Sequence, residues 1–300
     1  MSAVARTDAL VAAPPAVDRV ALGAFAGAVV IGGTNFVGVR FSNRGLDPLW
    51  GAGLRFALAA ALFGLLCAAF RLRLPRGRGL VLSGAYGLFS FAGAYGCIYW
   101  AMQEVPAGVA AVVLALGPLL TLLFAVAHGM ERLSGRALAG ALVALAGSVV
   151  IFFQPDSFAF GWESLALLGV GALFAAQSVV VSKLVGPHHP AAINFVGMSA
   201  GAVVLVGAAA VAGERLALPA GGGTQLALVY LVAATVALFM LALVVVQRWA
   251  ASAASYAFVL MPVIAVALGA VLAGEPITPT TVTGGAIVCA GVAVGAARRG

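Results

Sequence analysis

Four residues recur in this chain at one fixed separation, and that repetition limits what it can fold into more than any other feature. Pro118, Glu131, Gly140 and Gly147 return 144 positions later as Pro262, Glu275, Gly284 and Gly291. The neighbours agree: Leu133-Ser134 follows the first Glu and Ile277-Thr278 the second, and the same register sets Gln103 over Gln247. Glycine matches carry little weight among 39 glycines, but the chain has only five glutamates, so a matched pair does. A fixed-offset repeat of about half the chain means two copies of one structural unit.

The surroundings of the repeat decide the class. Of the 300 residues 63% are hydrophobic and 8% charged, against roughly a quarter charged in globular domains. Apolar runs of about 20 residues recur between short polar breaks, long enough to cross a bilayer core as helices. The ~10-residue alternation of an outer-membrane barrel is missing. The sequence predicts an all-α integral membrane protein with ten transmembrane helices, centred in 20–40, 48–70, 80–101, 106–128, 135–153, 161–183, 190–212, 224–246, 252–273 and 277–297. The breaks carry turn residues, such as Asp47-Pro48, Gln154-Pro155-Asp156 and Gly186-Pro187. Residues 1–18 form a cytoplasmic tail, 19–153 the first repeat with helices 1–5, and 160–297 the second with helices 6–10.

Basic residues set the orientation. Twelve of the 16 Lys and Arg fall on the side of the N-terminus, and three (Arg40, Arg44, Arg215) on the other, with Arg55 inside a span. Excess Lys and Arg mark cytoplasmic loops, so both termini are expected to be cytoplasmic. The net charge of +7 therefore reflects membrane orientation and calls for no nucleic-acid partner. Five helices per repeat is an odd number, so the second copy enters the bilayer upside down. Such an inverted repeat builds its binding site near the midplane and exposes it to either side in turn.

On these motifs the chain resembles the drug/metabolite transporter superfamily, specifically its ten-helix bacterial EamA-type permeases. The residues carrying the resemblance are Gly33-Thr34-Asn35-Phe36-Val37, Leu54-Arg55-Phe56, Leu116-Gly117-Pro118-Leu119 and Glu131-Arg132-Leu133-Ser134. Leu260-Met261-Pro262 and Gly274-Glu275-Pro276-Ile277-Thr278 follow in the second copy. Arg55-Phe56 has no clear second copy, Asn194-Phe195 being the nearest. The resemblance implies a secondary transporter of a bacterial inner membrane that exports small polar metabolites, such as amino acids or their derivatives, by alternating access. It also implies a central cavity lined by helices 1, 3, 4, 6, 8 and 9.

Seven residues are cavity candidates: Thr34, Asn35, Tyr95, Tyr99, Gln177, Ser178 and Tyr256. The alternative for the polar ones is hydrogen bonding between helices, and for the aromatics a belt at the interface. Pro118 and Pro262 each remove a backbone hydrogen bond inside a span and are expected as gating hinges, with a static kink as the alternative. Glu131 and Glu275 lie about 20 Å further along their helices and are expected to complement the start of the next helix at the membrane edge. Arg55 stands about 10 Å from the outer interface, where a stretched side chain snorkels to the headgroups, and is expected to be a structural charge, with substrate binding as the alternative for a charge inside a span. With Arg55 so placed the cavity is nearly uncharged.

Enzyme signatures are missing. His128, His188 and His189 fit no metal spacing, no Ser has a suitable His and carboxylate partner, and no phosphate-binding loop occurs. No cofactor or metal is expected, and the free energy for transport comes from proton or substrate exchange. A membrane-embedded enzyme or lipid-handling protein at the interface is the alternative function; it requires carboxylates, His or Arg grouped at one membrane edge. Cys67, Cys97 and Cys289 lie in three different apolar spans and read as small buried residues. Four-residue glycine spacings allow close helix packing, and a homodimer face on helix 5 or 10 is the further expectation.

Overall fold

The computed structural model describes residues 18–105, 107–152, 161–273 and 278–296. Every regular element among these is helical. The helices form ten rods: α1 (Arg19–Ser42), α2 (Pro48–Ala69), α3 (Arg78–Ala101), α4 (Ala107–Leu114, then Gly117–Ala127), α5 (Gly135–Phe152), α6 (Trp162–Leu184), α7 (Pro190–Val211), α8 (Gly222–Arg248), α9 (Ala251–Ala254, then Ala257–Ala273) and α10 (Pro279–Ala296). Six of them (α2, α3, α4, α6, α7 and α8) are long and apolar enough to span a membrane. Shorter apolar stretches lie in α1, α5, α9 and α10. Pro48 and Pro190 each open the second helix of their repeat at its first turn, where the missing N–H costs nothing.

The repeat is visible in the packing. Helix α5 lies on α10 and α2 on α7, while α1 lies on α8 and α9 as α6 lies on α3 and α4. Exchanging the two halves reproduces the same neighbours. Gly140 of α5 faces Gly291 of α10 and Gly147 faces Gly284, so these helices run antiparallel. Helices α2 and α7 are also antiparallel, with Gly53 against Leu205 and Gly64 against Phe195. The glycine faces of α5 and α10 are therefore spent on each other.

The polar breaks gather at two opposite ends. At one, Asp18 pairs with Arg248, Lys183 donates to the carbonyls of Val246 (2.9 Å) and Trp249, and Gln247 donates to the His188 carbonyl. At the other, Asp47 accepts from the Arg215 N–H, Trp50 Nε1 donates to the Ala217 carbonyl, and Ser164 donates to Glu104. These are the two groups of breaks that the Lys and Arg distribution separates.

The helix-start role foreseen for Glu131 holds in kind but not in place. Its carboxylate accepts from the Ser252 N–H (3.0 Å) and from Ser252 Oγ, so it caps α9 of the other repeat. The nearby start of α5 is capped by Ser134, whose Oγ accepts from the Ala137 N–H. A carboxylate reaching across the repeat boundary satisfies orphan donors that α9, opening on Ala251, cannot satisfy itself. Glu214 does the same at the opposite end, accepting from the Leu49 and Trp50 N–H groups at the start of α2. Glu275 lies outside the described residues.

The two prolines differ in setting. Pro118 stands in the first turn after the break at Ala115-Leu116, whereas Pro262 is inside an unbroken helix, its break having come earlier at Ser255-Tyr256. Both are buried. Just before Pro262, the Met261 carbonyl approaches Gly33 of α1 so closely that a Cβ there would stand 2.8 Å from its oxygen.

Candidate functional site

The site begins with the phase of α2. Ala52, Arg55, Phe56, Ala59 and Phe63 recur at three- and four-residue steps and share one wholly buried face, while Leu58, Leu62 and Leu65 occupy the opposite, exposed one. Arg55 is thus turned into the bundle with no exposed surface. The snorkelling expected for it is corrected: its guanidinium ends among α1, α3 and α8, not at the headgroups. Distance from the helix end left both fates open, and helix rotation selected this one.

Three other helices hold the guanidinium. Nε donates to Thr235 Oγ1 of α8 at 2.6 Å, Nη1 to the Tyr99 hydroxyl of α3 at 3.0 Å, and Nη2 to Asn35 Oδ1 of α1 at 3.1 Å. Thr235 passes its own proton to the Leu231 carbonyl, and Asn35 Nδ2 donates to the Ile31 carbonyl, which fixes both acceptors. The Phe56 and Tyr95 rings flank the cation at 5.4 and 5.6 Å from ring centre to Cζ. All three acceptors are neutral. Among the described residues no carboxylate stands near: Asp18, Asp47, Glu104, Glu131 and Glu214 are engaged at the two ends, and Glu163 opens α6.

A cavity of about 160 Å³ opens beside Arg55, lined from α1, α2, α3, α4, α6, α8 and α9. Its wall is apolar and aromatic over most of its extent, with Phe25, Phe239, Phe258 and Met261 prominent. Its polar lining comes from Asn35, Arg55, Ser90, Ser178 and the tyrosines 86, 95 and 99. One local irregularity shapes it. Helix α3 carries a π-helical segment over Leu88–Ala94. Tyr86, Ser90, Tyr95 and Tyr99 all face the cavity although their steps are four, five and four residues, and the wide turn absorbs the five-residue step.

Four of the seven predicted cavity residues are thereby brought together: Asn35, Tyr95, Tyr99 and Ser178. The other three lie elsewhere. Thr34 bonds the Ile31 carbonyl and receives the Tyr230 hydroxyl; Gln177 Nε2 is 3.4 Å from His128 Nε2; the Tyr256 hydroxyl packs against Gly295 and points at the Ala137 carbonyl. Thr235 and Ser90 were not foreseen as site residues, and Arg55 was expected to be structural, with substrate binding as the alternative, although its shared phase with Ala52, Phe56 and Ala59 was readable in the sequence. Asn194 partly mirrors Arg55: from α7 it accepts from the Tyr86 hydroxyl of α3 at 3.3 Å, as Arg55 reaches Thr235 from α2 to α8.

With the two-copy fold and its interior cation established, the class is that of a polytopic helical transporter built from a duplicated unit. The chain belongs to the EamA-like transporter family, whose sequence profile matches residues 19–153 and again 161–295. A relative from Escherichia coli (strain K12), printed as "Uncharacterized inner membrane transporter YedA", is 35% identical over 271 residues, covering 85% of this chain and 83% of the relative. A Salmonella typhimurium (strain LT2) protein printed as "Probable amino-acid metabolite efflux pump" is 28% identical, covering 88% and 90%. A "Probable terminal-alkyne amino-acid exporter" of Streptantibioticus cattleyicolor is 25% identical, covering 83% and 84%. A solved crystal structure matches with a TM-score of 0.77 at 21% identity, covering 91% of this chain and 95% of that one, and speaks for the fold alone. This is a multi-pass membrane transporter of small molecules. The membrane-embedded enzyme is set aside by that membership.

Proposed function

We propose that the protein is an inner-membrane exporter of amino acids or closely related small metabolites, working by alternating access around the Arg55 cavity. The observation that carries the proposal is the position of that cavity: it lies on the seam of the two repeats and takes its wall from both. In an inverted repeat, rocking one unit against the other exposes a seam cavity first to one side and then to the other. The relatives named as an efflux pump and an amino-acid exporter support the direction and the cargo class. The antiparallel pairing of α5 with α10 and of α2 with α7 supports an inverted arrangement of the two repeats, and the excess of Lys and Arg on the side of the N-terminus supports cytoplasmic termini.

Pro118 and Pro262 serve in this scheme as the flexible points of α4 and α9: Pro262 leaves one carbonyl inside its helix without a donor, and Pro118 follows the break at Ala115-Leu116. Exchange of substrate is the favoured coupling. A proton relay in the cavity needs a carboxylate on its wall, and among the described residues the wall has none.

Two measurements test the proposal. Purified protein in vesicles preloaded with unlabelled amino acids is expected to give saturable counterflow of a labelled one, and no saturable flux across the proteinogenic set and their N-acyl derivatives would falsify the transport reading. A reporter fused after Gly300 is expected to read cytoplasmic, and a periplasmic signal overturns the ten-span topology.

A further inference from the structure

We infer that Arg55 is the anchor for a single carboxylate, and that the cavity takes a monocarboxylate with an apolar or aromatic body. The inference deepens the transporter proposal above and rests on it for what becomes of the ligand once bound. It begins from an imbalance. A charge removed from water is costly unless paired, and buried charges in proteins are as a rule paired. Arg55 is wholly buried, yet its three partners are an amide oxygen, a phenol and a hydroxyl, all neutral. Those bonds use three of the five N–H groups that a guanidinium offers. Two N–H groups and a full positive charge are left without a partner among the described residues, on a side chain that lines the cavity. A carboxylate entering the cavity supplies the missing counter-charge through charge-assisted hydrogen bonds.

The same wall sets the rest of the ligand. Among the described lining residues Arg55 is the one cation and no acidic side chain appears. A phosphate or a dicarboxylate would leave charge unmatched, and an α-ammonium group finds no carboxylate to read it. Phe25, Phe239, Phe258 and Met261, together with Tyr95, offer apolar and aromatic surface to whatever the carboxylate carries. Recognition therefore rests on an acid at one end and an apolar body at the other.

Binding to the full chain in detergent, by isothermal titration with three probes, tests this directly. 3-Phenylpropionate is expected to bind, L-phenylalanine to bind more weakly because its ammonium group has no partner on the wall, and 3-phenylpropionamide at least tenfold more weakly than 3-phenylpropionate. Arg55→Gln is expected to lose binding of both acids. Because that variant removes a buried hub, Asn35→Asp serves as the second: it sets a permanent carboxylate beside the guanidinium where the amide oxygen now stands. It is expected to remain folded, with a melting temperature at or above that of the parent, and to bind the acids at least tenfold more weakly. Equal binding of amide and acid, acid binding unchanged in Asn35→Asp, or no binding of either acid overturns the anchor. Saturable flux of other solutes through the same protein leaves the transporter standing in that event. Conversely, Arg55-dependent binding of acids that are never moved in vesicles sinks the transport reading and keeps the anchor.

Discussion

Gly147 and Gly284 face each other with the same clearance in both directions: a Cβ on either would stand 2.8 Å from the carbonyl oxygen of the other. Gly140 and Gly291 repeat the relationship, again at 2.8 Å each way. These are the four glycines of the 144-residue repeat, and they are where α5 and α10 meet backbone to backbone. A side chain at either crossing has to push two helices apart. Gly147→Val and Gly284→Val are each expected to destabilise the protein by about 1–3 kcal/mol through overpacking. Gly169→Ala in α6, where nothing lies within 4 Å of an added Cβ, is expected to be neutral or slightly stabilising. Thermal unfolding in detergent, followed by size-exclusion chromatography, measures all three, and equal melting of Gly147→Val and Gly169→Ala would refute the crossing.

The contacts of Arg55 separate structural from functional roles. Thr235→Val keeps the shape but removes the acceptor of the Arg55 Nε–H, leaving a buried donor of a charged group unmet. A loss of about 1–3 kcal/mol follows. Arg55→Met removes the buried cation together with its desolvation cost but leaves the Thr235, Tyr99 and Asn35 oxygens without their donor, and removing one member of a buried polar network is destabilising. Both variants are therefore expected to melt below wild type, Arg55→Met the lower. Melting of Arg55→Met at or above wild type would show that the cation is kept at a cost to stability.

Two caps near the same membrane edge should respond differently. Ser134→Ala deletes the local cap of α5 and is expected to cost about 0.5–2 kcal/mol, as N-cap losses do. Glu131→Ala deletes the cap of α9 and with it a tie between the two repeats. Hydrogen exchange at Ser252 and the following amides reads the second effect: exchange is expected to rise there in Glu131→Ala and to stay unchanged in Ser134→Ala. Faster exchange confined to the start of α5 in Glu131→Ala would contradict the cross-repeat cap.

Asp18 supplies the acid response at the start of α1. The Ala21 N–H that it accepts, followed by Arg248, holds its carboxyl below the ordinary value of 3.8. A folded-state pKa below the unfolded one stabilises fully above that ordinary value. The contribution is lost as pH falls through the lower folded value. Stability from pH 5 to 8 is therefore expected to be independent of Asp18 ionisation, while Asp18→Asn flattens the part of the unfolding profile below about pH 4. An effect of this variant on the slope near pH 7 would exclude the assignment.

The parts of the site legible in the sequence were those that depend on position along a helix. Asn35, Tyr95, Tyr99 and Ser178 are polar residues in the middle of apolar runs, and such residues turn inward because lipid cannot solvate them. Thr34, Gln177 and Tyr256 have the same character, but each found a partner among neighbouring helices first. Composition cannot tell these outcomes apart, because both satisfy the same hydrogen-bonding groups. Arg55 was expected to reach the headgroups and instead turns into the bundle, since a long side chain reaches either water or a cavity from the same helical turn. The five-residue step in α3 had no signal at all, because the π-helical segment Leu88–Ala94 shifts the phase of the residues after it.

The sequence by itself determined the class and the plan. Apolar runs of helical length required membrane helices, and the 144-residue register of Pro, Glu and two Gly required two copies of one unit. Both are local or periodic properties, which the order of residues records directly. Only the tertiary structure decided what that register is for. Its glycines bring α5 and α10 into backbone contact, Glu131 caps a helix of the opposite repeat, and Arg55 becomes a cavity charge with no carboxylate beside it among the described residues. Each of these depends on which neighbour lies across the interface, and that is set by helix rotation and crossing.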